Sequence, residues 1–133
     1  MRKIFVYKND NKCPVNDFLE KAEEKIKNKF EFCLEYLKDD KHCFCEPYVR
    51  HFSGGRFSRL YEVRVMVLSK MVRVIFYEHD EEIVFLHAFY KKTLKDTRNA
   101  LEVSLKILDS ITDKDGAVME EYREELRFIE GIR

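Results

Sequence analysis

Between Leu60 and Phe89 three runs follow one another, LYEVRVMVL, VRVIFYE and IVFLHAF, in which apolar and polar residues tend to alternate. A period of two predicts strands, here over Leu60 to Leu68, Val72 to Glu78 and Ile83 to Phe89. The connections Ser69 to Met71 and His79 to Glu82 are too short for crossover helices, so the runs predict an antiparallel meander. Upstream, Arg2 to Lys8 is short and β-rich and is ended by Asn9-Asp10-Asn11, which predicts a further strand. Pro14 to Asp17 supplies helix-start residues. Phe18, Leu19, Ala22, Ile26, Phe30, Cys33, Leu34 and Leu37 then recur at helical spacing, predicting a helix or closely packed helical pair ending near Asp40. From Lys41 to Arg59, with Pro47 and Gly54-Gly55, the pattern lapses into a linker. After Lys92, Thr97 is expected to cap a helix carrying Leu101, Val103, Leu105, Ile107 and Leu108 to Ile111. Thr112 to Gly116 interrupts it, and a charged final helix is expected over roughly Ala117 to Glu130. These elements predict an α+β fold: an antiparallel sheet of about four strands, the helices of residues 14–40 packed on one face, and C-terminal helices.

Alternation also sorts side chains into faces. Tyr61, Val63, Val65 and Val67 share one face of their strand, and Glu62 and Arg64 the other. On the next strand Val72, Val74 and Phe76 form the apolar face, opposite Arg73 and Tyr77 with Ile75 between them. Charges on a strand are cheap only where water reaches them, so Arg64 and Arg73 predict a half-covered sheet with an open basic face. Lys91 and Lys92 arrive there from the end of the third strand. His87 is hard to place, because it alternates with Phe85 and Phe89.

Composition narrows the class. At 133 residues with 45% hydrophobic content, the chain has the size of a single domain over 1–133, with 117–133 a helical extension. Lys plus Arg and Asp plus Glu stand at 25 each, so any nucleic-acid role must rest on local asymmetry. From Lys91 to Arg98, four cations (Lys91, Lys92, Lys95 and Arg98) face Asp96 alone. No signal peptide precedes the cysteines, which lack paired CxxC spacing, so reduced thiols in a cytoplasmic protein are expected. Cys43 and Cys45 with His42 and His51 lack the spacing of zinc modules, and neither a metal nor a cofactor is expected. No apolar run approaches membrane-spanning length.

The basic face suits cleavage of RNA by its own 2′-hydroxyl. That reaction needs a group to accept the hydroxyl proton, cations to hold the phosphorane charge, and a donor for the leaving 5′-oxygen. Guanidinium forks fit the second task, which points to Arg64 and Arg73. Glu62, Tyr77, His87 or a lysine can serve as proton carrier, and the sequence does not rank them. Read without chemistry, Arg64 and Arg73 simply pair with Glu62 and Glu78 across a solvated sheet.

The order strand, PVNDFL helix, second helix, Gly-Gly linker, LYEVR, VRVIFY, IVFLHAFYKKT and capped helix resembles the phage-derived branch of the RelE/HigB-like toxins, over roughly residues 3 to 110. The resemblance implies a RelE/ParE-like fold and a toxin of a type II toxin–antitoxin pair, acting as an mRNA endoribonuclease on translating ribosomes. It implies catalytic roles for Arg64, Arg73, Lys91 and Lys92, and a cognate antitoxin, a helix-turn-helix protein, as partner alongside mRNA and the ribosome; Lys95 and Arg98, in the same cationic run, are expected to contact RNA. Many members carry proline where Arg98 opens the last family helix, and the tail after Gly116 lies outside the resemblance, as a packing helix or an added surface for antitoxin or a second copy of the chain. The fold also hosts gyrase-directed toxins, so a gyrase-directed or catalytically silent relative and a non-toxic nucleic-acid or protein-binding module are the alternatives.

Overall fold

A computed structural model describes residues 2–9, 12–39, 44, 46–112 and 118–121. Along the chain run β1 (Lys3–Lys8), α1 (Pro14–Glu20), α2 (Glu24–Lys38), β2 (Val49–His51), a short 3-10 turn (Gly55–Phe57), β3 (Tyr61–Val67), β4 (Lys70–His79), β5 (Glu82–Tyr90), α3 (Leu94–Thr112) and β6 (Val118–Glu121). The strands form one sheet in the order β2-β3-β4-β5-β1-β6.

The α+β class and the β3-β4-β5 meander match the sequence pattern, and two features widen it. The sheet has six strands instead of about four, and it is mixed: β1 lies parallel to β5, with Lys3 opposite Glu82, while every other pair is antiparallel. Val118–Glu121, expected within a helix, is a strand paired with β1. The backbone of β1 would otherwise present an unpaired edge, and pairing there satisfies groups that a helix would leave exposed on that strand. The rest of the expected final helix lies outside the described residues, as do His42, Cys43 and Cys45.

α1 and α2 cover one sheet face, as their apolar spacing predicts. Pro14 occupies the first turn of α1, where its missing N–H costs nothing, and Asp17 Oδ2 accepts from the Cys13 N–H at 3.3 Å. Ile26, Phe30, Cys33, Leu34 and Leu37 of α2 are buried against Val63, Val65, Val74, Phe76 and Phe85, with Phe30 and Phe85 rings 5.5 Å apart. Burial of this kind contributes about 1.5–3 kcal/mol for each large side chain. Arg2 donates to the carbonyls of Leu37 and Asp39, closing the C-terminal end of α2.

The opposite face is not open, contrary to the expectation of a half-covered sheet. α3 packs on it and builds a second core from Leu60, Ile75, Val84, Leu86, Ala100, Leu101 and Leu108. Its cap also differs from the expected Thr97. α3 begins at Leu94, and Thr93 Oγ1 accepts from the Asp96 N–H at 3.3 Å while Asp96 Oδ2 accepts from the N–H groups of Thr93 and Lys92. This is a capping box whose acid sits three residues on. Those two backbone donors hold the Asp96 carboxyl below the usual carboxylate range. Thr97 lies in the first turn instead, buried. Thr93→Ala is expected to lower stability by about 1 kcal/mol, read as a shifted denaturant midpoint, and Thr97→Ala by less, because no hydrogen bond is lost with the Thr97 hydroxyl.

Candidate nucleic-acid interface

Strand register places the candidate residues on the α3 side of the sheet in three rows. Met66 and Met71 are paired, and the Lys91 N–H continues that row by donating to the Met71 carbonyl at 2.8 Å. Arg64, Arg73 and Phe89 form the second row, and Glu62, Ile75 and His87 the third. Arg50 of β2 stands opposite Glu62. Cross-strand partners share a face, so Arg50, Glu62, Arg64, Arg73 and Lys91 all converge on one corner.

Depth separates these residues. Arg64 keeps 22% of its side chain exposed and donates to Glu46 Oε1 at 2.9 Å on the rim. Arg73, expected on an open face, is only 4% exposed, and Glu62 has no exposed surface. The Arg73 Nε lies 3.5 Å and the Arg64 Nε 3.7 Å from Glu62 Oε2, close enough for charge attraction but without hydrogen-bond geometry. Burial raises the Glu62 pKa, opposed by Arg73, Arg50, Arg64 and Lys91, in that order. Burial likewise lowers the Arg73 pKa, which the Glu62 charge offsets. Glu62 can therefore act on a substrate only through the arginines above it.

Beneath Arg64 the sheet is anchored to α2. The Cys33 thiol, pushed up to about 11 by burial, stays protonated and donates to the Arg64 carbonyl at 3.8 Å. At the other end of the corner, Lys91 and Lys92 line a cleft of about 340 Å³ with Ser69, Lys70, Met71 and Tyr90. Lys92, Lys95 and Arg98 are exposed on and before the first turns of α3.

His87 reaches this face through a bulge. Ile75 pairs with His87 and Phe76 with Phe85, leaving Leu86 as the extra residue, so Leu86 and His87 both turn towards α3. The ring then lines a separate cleft of about 190 Å³ with Phe89, Tyr90, Asp96, Asn99 and Val103. Tyr77 is half-buried farther along the sheet, its pKa raised by burial. The structure thus brings Glu62, Arg64, Arg73 and Lys91 together and sets Tyr77 and His87 apart. Sequence reasoning missed Arg50 and Glu46, which fall in the segment read as linker; the only signal was the three-residue run VRH.

Residues 17–109 match the family described as phage derived protein Gp49-like (DUF891). The chain belongs to this family. It is a toxin-like family of toxin–antitoxin systems, which places the chain in that context. The match contains every residue of the corner and leaves out β1 and β6. No curated protein matches the chain. Among the described residues, no helix of this Gp49-like protein is long and apolar enough to cross a membrane.

Burial lowers the His87 pKa, so the folded protein favours the neutral ring. Its contribution to stability is present above the ordinary imidazole range and is lost as pH falls through the lowered value. Glu62 works oppositely: its raised pKa favours the protonated folded state, and that contribution is lost as pH rises through the carboxyl range. Acidification from neutrality through the imidazole range is expected to lower the denaturant midpoint, and His87→Phe to flatten that slope; an unchanged slope would place the acid sensitivity elsewhere.

Proposed function

We propose that this protein is the toxin of a type II toxin–antitoxin system, of the RelE/HigB-like kind, and an mRNA endoribonuclease acting on ribosome-bound message in the cytoplasm. The observation that carries the reading is the Arg64–Arg73 pair. Like charges directly opposite on neighbouring strands destabilise a sheet, and here Arg50 and Lys91 add to the same corner. Within it, four cations face one buried carboxylate, Glu62, with Glu46 on the rim. A phosphate arriving at Arg64 relieves that repulsion.

In the reaction, the 2′-oxygen attacks the adjacent phosphorus and loses its proton to a base. The P–O5′ bond breaks, the 5′-oxygen takes a proton, and a 2′,3′-cyclic phosphate is left. Arg64 and Lys91 hold the charge that builds on the phosphorane, with Lys92 beside them. Arg73 and Glu62 are positioning residues: the pair fixes Arg64 from below and cannot itself meet the substrate without a local opening. The cations of the first α3 turns support the same reading, since Lys92, Lys95 and Arg98 outnumber the single Asp96 carboxylate that caps the positive end of this helix dipole and leave a net positive charge there.

The test is cleavage of message in a translating extract. Cut message ending in a cyclic phosphate is expected with the wild-type chain. Intact message, with DNA supercoiling by gyrase blocked instead, would overturn the nuclease reading. Co-expression of the product of the adjacent reading frame should suppress the effect if that product is the antitoxin.

A further inference from the structure

The segment from Pro47 to Tyr61 carries three arginines and a histidine and no acidic residue, in a chain whose charges balance only as a whole. It is also well anchored. The Phe52 N–H donates to the Leu60 carbonyl and the Leu60 N–H to Phe57, while the His51 Nε2 lies 2.7 Å from the Ser58 carbonyl oxygen. Phe52 and Phe57 pack against the α3 core, and the Arg50 and Arg56 guanidiniums lie 5.0 and 4.9 Å over those two rings. Gly54 and Gly55 adopt φ of 81° and 69°, conformations that let the segment double back tightly. The result is a fixed cationic loop beside the Arg64 corner.

Its position relative to α3 follows from one ion pair. Arg56 is paired with Glu102, so the Glu102 flank of α3 faces this loop. Arg98 is one turn before Glu102 on the same flank. Asp96, Asn99 and Val103 occupy the other flank, beside His87. Arg50 lies opposite Glu62, and Arg59 is near enough to Tyr77 to counter the effect of burial on its hydroxyl. Arg50, Arg59 and Arg98 have no ion-pair partner among the described residues, although Arg56 does.

We propose that Arg50 and Arg59 on one side and Arg98 on the other form two basic walls of a track that carries a single RNA strand past Arg64. This rests on the reading of the Arg64 corner as a phosphate site and adds to it a strand-binding surface several phosphates long. Single strands suit the arrangement because an extended backbone offers a phosphate to each wall in turn, and phosphate contact sets affinity without fixing sequence.

The experiment uses a fluorescent single-stranded RNA with 2′-O-methyl groups, which cannot be cut, titrated at several salt concentrations. Counterion release predicts that Arg59→Gln with Arg98→Gln makes the plot of log affinity against log salt shallower by about 1.4, roughly 0.7 per lost contact. Both side chains are exposed, so thermal melting of the double variant should match the wild type. Lys21→Gln with Lys27→Gln, on the α1 and α2 face, serves as the control and should leave the slope unchanged. Equal slopes in the wild type and the Arg59/Arg98 variant, or an equal loss in the control, would overturn the track. So would unchanged RNA binding together with weakened binding of a polyglutamate probe, which would assign the surface to an acidic protein segment. A chain that binds the methylated RNA with the expected slopes but cuts no message would sink the nuclease reading and leave the track standing.

Discussion

Arg73→Ala is expected to destabilise the folded chain by roughly 3 kcal/mol, the lower end for breaking a buried pair, because it removes the nearest guanidinium from the buried Glu62 carboxylate and leaves Arg50, Arg64 and Lys91 to balance it. Denaturant unfolding of the single variant should show the loss directly. Replacing both members of the pair, Glu62→Leu with Arg73→Met, should recover most of it, since apolar residues of similar size remove the uncompensated charge altogether. An Arg73→Ala protein as stable as wild type would mean that this guanidinium does not hold the carboxylate. Loss of toxicity in that variant is no direct sign of chemistry, so the double replacement, folded but without the pair, is the informative one.

Arg64 should behave in the opposite way. Its guanidinium reaches solvent and its firmest partner is Glu46 on the rim, so Arg64→Ala should cost under about 1 kcal/mol of stability. If it meets the phosphorane, message cleavage should fall by about 10²–10³-fold, the usual loss for one preorganised charge donor. Arg64→Lys should fall between, keeping the charge and losing the two-pronged geometry. Full cleavage by a folded Arg64→Ala protein would remove this residue from the site.

The sequence made faces legible and depth illegible. Alternation placed Glu62, Arg64, Arg73 and Tyr77 on one side of the sheet, and the register confirms that grouping. It could not show that α3 comes down over the same side and that Arg73 ends at the centre of a three-by-three patch of side chains. His87 was unreadable for a different reason: one extra residue, Leu86, breaks the period of two, and a bulge leaves no mark in a run as uniformly apolar as IVFLHAF. The α3 cap moved from Thr97 to Thr93 because Asp96, three residues after Thr93, completes a reciprocal pair that Thr97 has no acid to form. Arg50 escaped notice because β2, at three residues, is too short to show any periodicity. Val118–Glu121 misled because strand pairing with β1 is a long-range event that local charge content does not report.

The place of β1 in the sheet has a consequence for synthesis. Its parallel partner is β5, with Lys3 opposite Glu82, so a strand made before α1 and α2 waits for one made about 75 residues later to complete its pairing. Until then its apolar residues Ile4 and Val6 have α1 and α2 to rest on but no strand alongside. Loops of that length close slowly, and an unpaired strand edge is an invitation to other chains. Half-made copies should therefore be the sticky form of this protein, and a chain stopped before β5 should aggregate where the full-length product does not.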